Sequence, residues 1–436
     1  MVPTKRLIGL YAAGLLLAPL AGLGSIGWWT LVAYNAGLTL LAYVAWRFAP
    51  TAADVSIRRK TDKVLSVRVP NRVELIVENV GPMPITGRLR DEPPPDFERS
   101  QNEFRLHLAP GRSVELAYQV TPQERGLDYF RGTFLRVDGA LGLAQRDLLI
   151  ATHAPIRVYP NVLALREFDL LRQRGRLQTL GVRQNRARGL GTEFESLREY
   201  TDGDDYRKID WKATARQGKL MTRLYEQERN QAVIVVIDIG RKMLAEVDGV
   251  TKLDLVLDSS LMLIHAAMHA GDQVGLLVYS DTVRRYLPPK KGKNQIAAII
   301  DALHDLVAEP VESEPERAFS YLDSRWKRRS LLIGFTDVEN ETEAKRLVAA
   351  MGGIPRRHIT VMARVMDPRL REALSTPVHD RDSLYFRAAG SLLMRDREDV
   401  ASALSTARVH SLESEPEELA GELVSFYVEV KERALL

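Results

Sequence analysis

The chain of 436 residues contains no cysteine. That absence removes disulfides, thiolate catalysis and cysteine-based zinc sites together. A strong excess of one charge is also missing: 61 Lys and Arg stand against 57 Asp and Glu. A formal net charge of +4 is too mild to imply a nucleic-acid partner by itself. No Gly-x-Ser-x-Gly elbow is present from which a hydrolase triad would start. The Gly292-Lys293 pair has neither the upstream glycine nor the following Ser or Thr of a phosphate-binding loop, and reads as a basic loop leading into a helix.

Charge is absent altogether between Arg6 and Arg47. A stretch of that length holds two membrane-spanning helices of about twenty residues each. Residues 22–27 supply a glycine-rich turn, and Trp28, Trp29, Tyr34, Tyr43 and Trp46 suit interfacial belts. With Lys5 and Arg6 at one end and Arg47, Arg58, Arg59 and Lys60 at the other, the expectation is a transmembrane helical hairpin over residues 1–50. It meets the bilayer through residues 7–46 and places a two-span protein in the bacterial inner membrane with its body in the cytoplasm. A cleaved signal peptide with Lys5-Arg6 as its basic region is the competing reading.

Residues 51–160 alternate in short runs such as Arg72-Val73-Glu74-Leu75-Ile76-Val77, separated by Pro- and Gly-rich turns. This texture predicts an all-β, Ig-like sandwich. From Ala232 it changes. Ala232-Val233-Ile234-Val235-Val236-Ile237 is the continuous apolar run of a buried parallel strand. Further strands are predicted at 273–279, 330–335 and 358–363, with helices at 294–307, 341–351, 383–405 and 416–433. Residues 232–436 therefore read as a doubly wound α/β domain, with ligands expected at the C-terminal edge of its strands.

Between these domains, residues 161–231 form a basic linker followed by a charged segment. In Gly189–Arg216 seven residues are acidic and five basic, set around Phe194, Leu197, Tyr200, Tyr206, Ile209 and Trp211. Mixed charge around large anchors predicts a folded ion-pair network rather than a solvated tail. Thr192 and Glu195 fit a capping box, predicting a short helix through Tyr200. The residues singled out for a structural or protein-binding role are Glu193, Phe194, Glu195, Arg198, Tyr200, Gly203, Asp204, Asp205, Arg207, Asp210, Trp211, Lys212 and Arg216. This segment resembles the signature of the bacterial family called "domain of unknown function 58".

Asp238 and Asp337 each follow a predicted strand, and with Gly334-Phe335-Thr336-Asp337 the region resembles a von Willebrand factor A domain. That resemblance implies a rim metal held by Asp-x-Ser-x-Ser, a Thr and a second Asp, with oxygen ligands suited to Mg2+. Here the first motif reads Asp238-Ile239-Gly240-Arg241-Lys242, and residues 305–316 contain no threonine, Ser313 being their single hydroxyl. Asp238 and Asp337 remain as a degenerate metal site, and Lys242 is the candidate to replace the metal's charge by an internal ion pair. No cofactor is expected on this reading, and Mg2+ is the only candidate ion.

The arginines at 172, 174, 176, 183, 186 and 188 suggest a nucleic-acid-binding arm, but no aromatic residues interleave to stack bases. His265 and His269 have zinc-pair spacing on a helix, without a third ligand. The family resemblance implies a non-enzymatic adaptor or scaffold that works with MoxR-type AAA+ ATPases in chaperone-like assembly or envelope stress. The alternatives are a metal-dependent hydrolase using the acidic residues of 193–210, and nucleic-acid binding through 172–188.

Overall fold

A computed structural model describes residues 2–16, 19, 25–62, 64–161, 193–201, 206–226 and 231–433. The arginine-rich stretch 172–188 and the signature residues Gly203, Asp204 and Asp205 lie outside them, as do the side chains of Glu193, Phe194 and Glu195. The chain divides into two compact units, Met1–Tyr159 and Pro160–Leu436.

Two sheets of the first unit are antiparallel throughout, and a third pairs Val64–Ser66 parallel with Ala154–Tyr159. One orders its strands Val55–Thr61, Asn71–Asn79, Ser113–Thr121 and Glu98–Arg99. Another orders them Val2–Pro3, Ala144–Ile150, Gly132–Asp138, Ile85–Glu92 and Phe104–Leu108. Period-two alternation buries Val73, Leu75 and Val77 from one sheet against Ile85, Leu89, Leu135 and Val137 from the other. A buried ion pair crosses this unit. Arg59 Nη2 lies 2.5 Å from Asp91 Oδ1, with the two side chains 3% and 2% exposed. Tyr118 Oη donates to Asp91 Oδ2 at 2.6 Å, Thr133 Oγ1 donates to Oδ1 at 2.9 Å, and the Arg59 guanidinium rests on the Phe130 ring.

The N-terminus corrects the expected hairpin. Val2 and Pro3 pair antiparallel with Gln145 and Ala144, so residues 2–3 form an edge strand of that sheet. Thr4 caps helix Lys5–Gly14, accepting from the Leu7 amide, and donates its hydroxyl to the Gly142 carbonyl at 2.7 Å. Helix Ser25–Arg47 packs beside it over a small core of Leu7, Leu38, Ala42, Ala45 and Leu143. Arg146 fastens the end of that helix by donating to the Trp46 and Ala49 carbonyls and stacking on the Trp46 ring. Among the described residues no helix is long and apolar enough to cross a membrane. The first helix has only 10 residues, and Trp28, Trp29, Thr30, Tyr34, Asn35 and Thr39 dilute the apolar character of the second. The two-span hairpin over residues 1–50 and the two-span inner-membrane placement that rested on it are overturned. Freedom from charge does not by itself supply sufficient hydropathy.

The second unit carries a six-stranded sheet in the order Val283–Lys290, Gln273–Tyr279, Ala232–Asp238, Leu331–Phe335, Ile359–Val365, Val409–Ser414. All neighbours are parallel except the first pair. Within Ala232–Asp238, Val233, Val235 and Ile237 face a core shared with helices Lys252–His269 and Pro416–Glu432. Ile234 and Val236 face the opposite core, beneath helices Pro315–Arg325 and Glu341–Met351. A strand buried on both faces explains why the run is continuously apolar. The edge strand Val283–Lys290 includes Pro288 and Pro289, tolerated there because an edge strand leaves amides unpaired.

Candidate functional site

Parallel pairing of Ala232–Asp238 with Leu331–Phe335 aligns their C-terminal ends and brings Asp238 and Asp337 to one rim. Asp238 is 3% exposed and its carboxylate is fully engaged. Oδ1 accepts from the Gly240 amide at 2.8 Å and from Ser313 Oγ at 2.5 Å, and Oδ2 accepts from Thr336 Oγ1 at 2.7 Å. Burial pushes the Asp238 carboxyl above the usual carboxylate range. The bonds from Ser313, Thr336 and Gly240 and the field of Lys242 offset only part of that push.

The Ser313 hydroxyl occupies the space a side chain at position 240 would need. A Cβ on Gly240 would lie 2.0 Å from Ser313 Oγ. Glycine is therefore required at 240 because Ser313 reaches the carboxylate from the opposite loop. The hydroxyl missing from the strand-end motif has, in effect, been supplied from residue 313.

Asp337 is paired by Lys252, the first residue of helix Lys252–His269, whose ammonium donates to Asp337 Oδ2. The two side chains are 12% and 7% exposed. Lys242, the expected counter-ion, turns elsewhere. Its ammonium lies 2.5 Å from Glu343 and 3.8 Å from Glu339, and it acts on Asp238 only as a field. Burial pushes Glu343 upward, but the Glu339 amide and Lys242 outweigh it and hold Glu343 below its ordinary value. Behind the rim, the buried Arg364 donates to the Val338 carbonyl at 2.9 Å and to Glu413 at 2.8 Å. Its guanidinium is pushed down to about 10 by burial and by Arg397. Two exposed pairs flank the recess, Arg241 with Glu312 at 2.6 Å and Arg346 with Glu316 at 2.9 Å.

Sequence reasoning placed Asp238, Asp337 and Lys242 on this rim but did not find Lys252, Thr336 or Glu343 as partners. In the sequence Ser313 stands out only as the lone hydroxyl of residues 305–316. A divalent ion shared by Asp238 and Asp337 would have to displace the Lys252 ammonium and compete with three donors to Asp238. This donor set does not fit Mg2+, which demands near-octahedral oxygen ligands. Among the described residues no group of three or more His, Asp or Glu side chains is arranged to hold a metal. The recess itself measures about 60 Å³. That admits a few waters and falls well short of a metabolite pocket of roughly 300–1,000 Å³.

The signature segment folds differently from the expected helix. Glu193–Glu199 is a strand paired antiparallel with Met221–Glu226, with an irregularity between Phe194 and Ser196. The Glu195 helix and its capping box are thus corrected, because cross-strand pairing with 221–226 overrides the local cap. Asp210 supplies a true cap, accepting from the Lys212 and Ala213 amides at 3.0 Å each to start helix Trp211–Gln217. Gly218, at φ 67°, ends it. Arg198 donates to the Glu199 carbonyl and the Thr201 hydroxyl, and Glu199 pairs with Lys219 at 2.6 Å. Arg207 stacks on Tyr206, while Trp211, Lys212 and Arg216 are exposed. Tyr200 is half-buried, its amide donating to the Leu220 carbonyl.

Residues 196–377 match the model of the family described as "Protein of unknown function DUF58". The uncharacterized protein YeaD of Bacillus subtilis is 24% identical over 129 residues, covering 29% of this chain and 31% of that one. An uncharacterized protein of Mycobacterium bovis is 23% identical over 183 residues, covering 42% and 57%. The chain thus spans from just under a third to just over half of the length of these curated relatives. Among solved structures, the conserved hypothetical protein BatB from Bacteroides thetaiotaomicron aligns over 46% of this chain and 98% of its own, at 12% identity and a TM-score of 0.29. The CARDB domain of a Pyrococcus furiosus protein aligns over 24% and 92%, at 16% identity and a TM-score of 0.18.

Proposed function

We propose, from the DUF58 match over residues 196–377, that this chain is a non-enzymatic adaptor that binds protein through the rim of its α/β unit. The observation that carries this reading is the internal satisfaction of both rim aspartates. Asp238 has three donors and Asp337 has a lysine, which leaves neither carboxylate available as a base, nucleophile or metal ligand. What the rim offers outward is alternating exposed charge: Arg241, Glu312, Arg346, Glu316 and Glu339. Such a surface steers and orients a partner through complementary charge rather than transforming a small molecule. The partner proposed is a MoxR-type AAA+ ATPase, and the role is assembly of client proteins.

The test uses the full chain and a purified MoxR-type AAA+ ATPase, with binding followed by interferometry in ATP and Mg2+. Arg241→Glu combined with Arg346→Glu reverses exposed charge and leaves the buried aspartates untouched. The reading expects binding at low salt, weakened tenfold or more by the pair and weakened by added salt in the wild type. Absence of binding, or binding indifferent to both changes, would remove the rim from the interface. The metal-dependent hydrolase reading predicts turnover lost on Asp210→Ala. Asp210 is engaged as a helix cap, so its loss acts on stability instead.

A further inference from the structure

The face of the five-stranded sheet that turns away from the sandwich core carries a row of like charge. Register sets Asp147 opposite Arg136, Arg136 opposite Arg88, and Arg88 opposite Arg105, so three arginines stand side by side on neighbouring strands. They alternate with the buried Leu135, Leu89 and Leu106, which places them on the outer face. Like charges directly opposite one another destabilise a sheet. Only part of that cost is met within the face. Arg136 grips Asp147 with Nε at 2.6 Å and Nη2 at 2.9 Å, and Arg88 Nε lies 3.1 Å from Glu103. Arg105 is exposed and makes no ion pair among the described residues, and the same holds for Arg90, one rung further along the strand of Arg88.

A cleft of about 980 Å³ opens beside this row, lined by Arg88 and Arg136 and by Lys5 and Arg6 from the start of helix Lys5–Gly14. Lys5 and Arg6 are exposed and make no ion pair among the described residues. A second recess of about 360 Å³ shares Arg88 and Arg136 with the first and continues to Arg90 and Phe134. A groove thus runs from Lys5 and Arg6 across the arginine row to Arg90, within the size range of ligand sites. Exposed apolar side chains stand at both ends, Phe48 and Met83 at one and Phe134 at the other. The acids along it are Glu92, Glu103, Asp138 and Asp147. Arginines bind Glu103 and Asp147, and Asp138 accepts from Gln145 at 2.7 Å. Among the described residues, Glu92 alone is left to oppose the four unpaired cations Lys5, Arg6, Arg90 and Arg105.

We propose that this groove binds an acidic peptide segment of another protein. Its carboxylates meet Lys5, Arg6, Arg90 and Arg105, and its apolar side chains meet Phe48, Met83 and Phe134. The forked contact of Arg136 with Asp147 is the one such a ligand multiplies, since a guanidinium matches a carboxylate with two parallel bonds. A nucleic acid fits less well. Phe134 alone makes no stacking platform, and the acids within the row repel a continuous string of phosphates. The groove belongs to the first unit and does not depend on the rim reading.

Fluorescence anisotropy of the full chain with a fluorescein-labelled peptide of repeated Glu-Glu-Leu units tests this. Wild type is expected to bind it at low salt with a micromolar Kd and to release it as salt rises. Arg90→Glu and Arg105→Glu each remove an attraction and add a repulsion. Each is expected to weaken binding about threefold or more, and the two together about tenfold or more. Lys5→Glu/Arg6→Glu, at the other end of the groove, is an independent pair with the same expected loss. A peptide of repeated Gln-Gln-Leu units and a thymidine oligonucleotide should each bind about tenfold more weakly than the acidic peptide. Arg241→Glu/Arg346→Glu on the rim should leave peptide binding unchanged, so failure of this proposal and failure of the rim reading are seen separately. Circular dichroism checks that each variant is folded. No peptide binding at low salt overturns the proposal. So does a Kd that ignores the two pairs of reversals, or an oligonucleotide bound as tightly as the acidic peptide.

Discussion

Replacing Lys252 by methionine keeps most of the side chain's bulk and removes its charge, leaving Asp337 a carboxylate that is 7% exposed and without its ammonium partner. Breaking a buried pair from one side generally costs about 3–5 kcal/mol, because the surviving charge is stranded in a poorly solvated site. The lower end applies here, since the guanidinium of Arg364 still acts on Asp337 through space. The expected loss is therefore about 3 kcal/mol, a large share of the roughly 5–15 kcal/mol that holds a domain folded. For a unit of this size that corresponds to a fall in Tm of about 6–12 °C. Urea unfolding of the full chain, followed through the transition of the C-terminal unit, measures it. The double variant Lys252→Met/Asp337→Asn removes both charges and is expected to regain more than half of the loss. A single-variant cost below about 1 kcal/mol, or a double variant worse than the single, would refute the claim that Lys252 is the counter-ion that makes a rim cation unnecessary.

Asp238 gives a pH-dependent prediction. Its folded-state pKa is raised by burial, so folding favours the protonated form. The corresponding stability is complete below the ordinary value of 3.8 and is lost as pH rises through the folded value. The stability of wild type relative to Asp238→Asn should fall across that window and then level off; a difference that rises with pH contradicts the burial argument. Gly240→Ala places a methyl group against Ser313 Oγ and is expected to cost about 1–3 kcal/mol. Ser313→Ala should relieve much of that cost, so that a double-mutant cycle shows coupling above about 0.5 kcal/mol. Additive losses would mean that the two loops do not meet as described.

The aligned ends of strands Ala232–Asp238 and Leu331–Phe335 were legible because two apolar runs, each followed by an aspartate, leave little choice of register. What surrounds those aspartates was not. Lys252 and Glu343 lie on separate helices, and no spacing rule connects a lysine in the first turn of one helix to an acid beyond a distant strand. Lys242 was plausible by proximity in sequence, but Glu343 lay closer in space. The strand at Glu193–Glu199 was misread because a capping box is a local signal, whereas its partner strand Met221–Glu226 is decided by tertiary pairing. The N-terminal helices failed for a related reason. Forty uncharged residues look the same whether they face lipid or lie against a sandwich, until Val2 and Pro3 are seen paired at residues 144–145.

That pairing has a temporal side. A ribosome delivers the chain from its N-terminus, and residues 2–3 have no partner until Ala144 and Gln145 emerge. At about 5–20 residues per second, that wait lasts roughly 7–30 s. For that interval the helices Lys5–Gly14 and Ser25–Arg47 are without the residues they pack on, Leu143 and Arg146. The nascent chain thus passes through a window in which the stretch without charge between Arg6 and Arg47 lacks its packing partners, and the pairing of residues 2–3 with 144–145 ends that window.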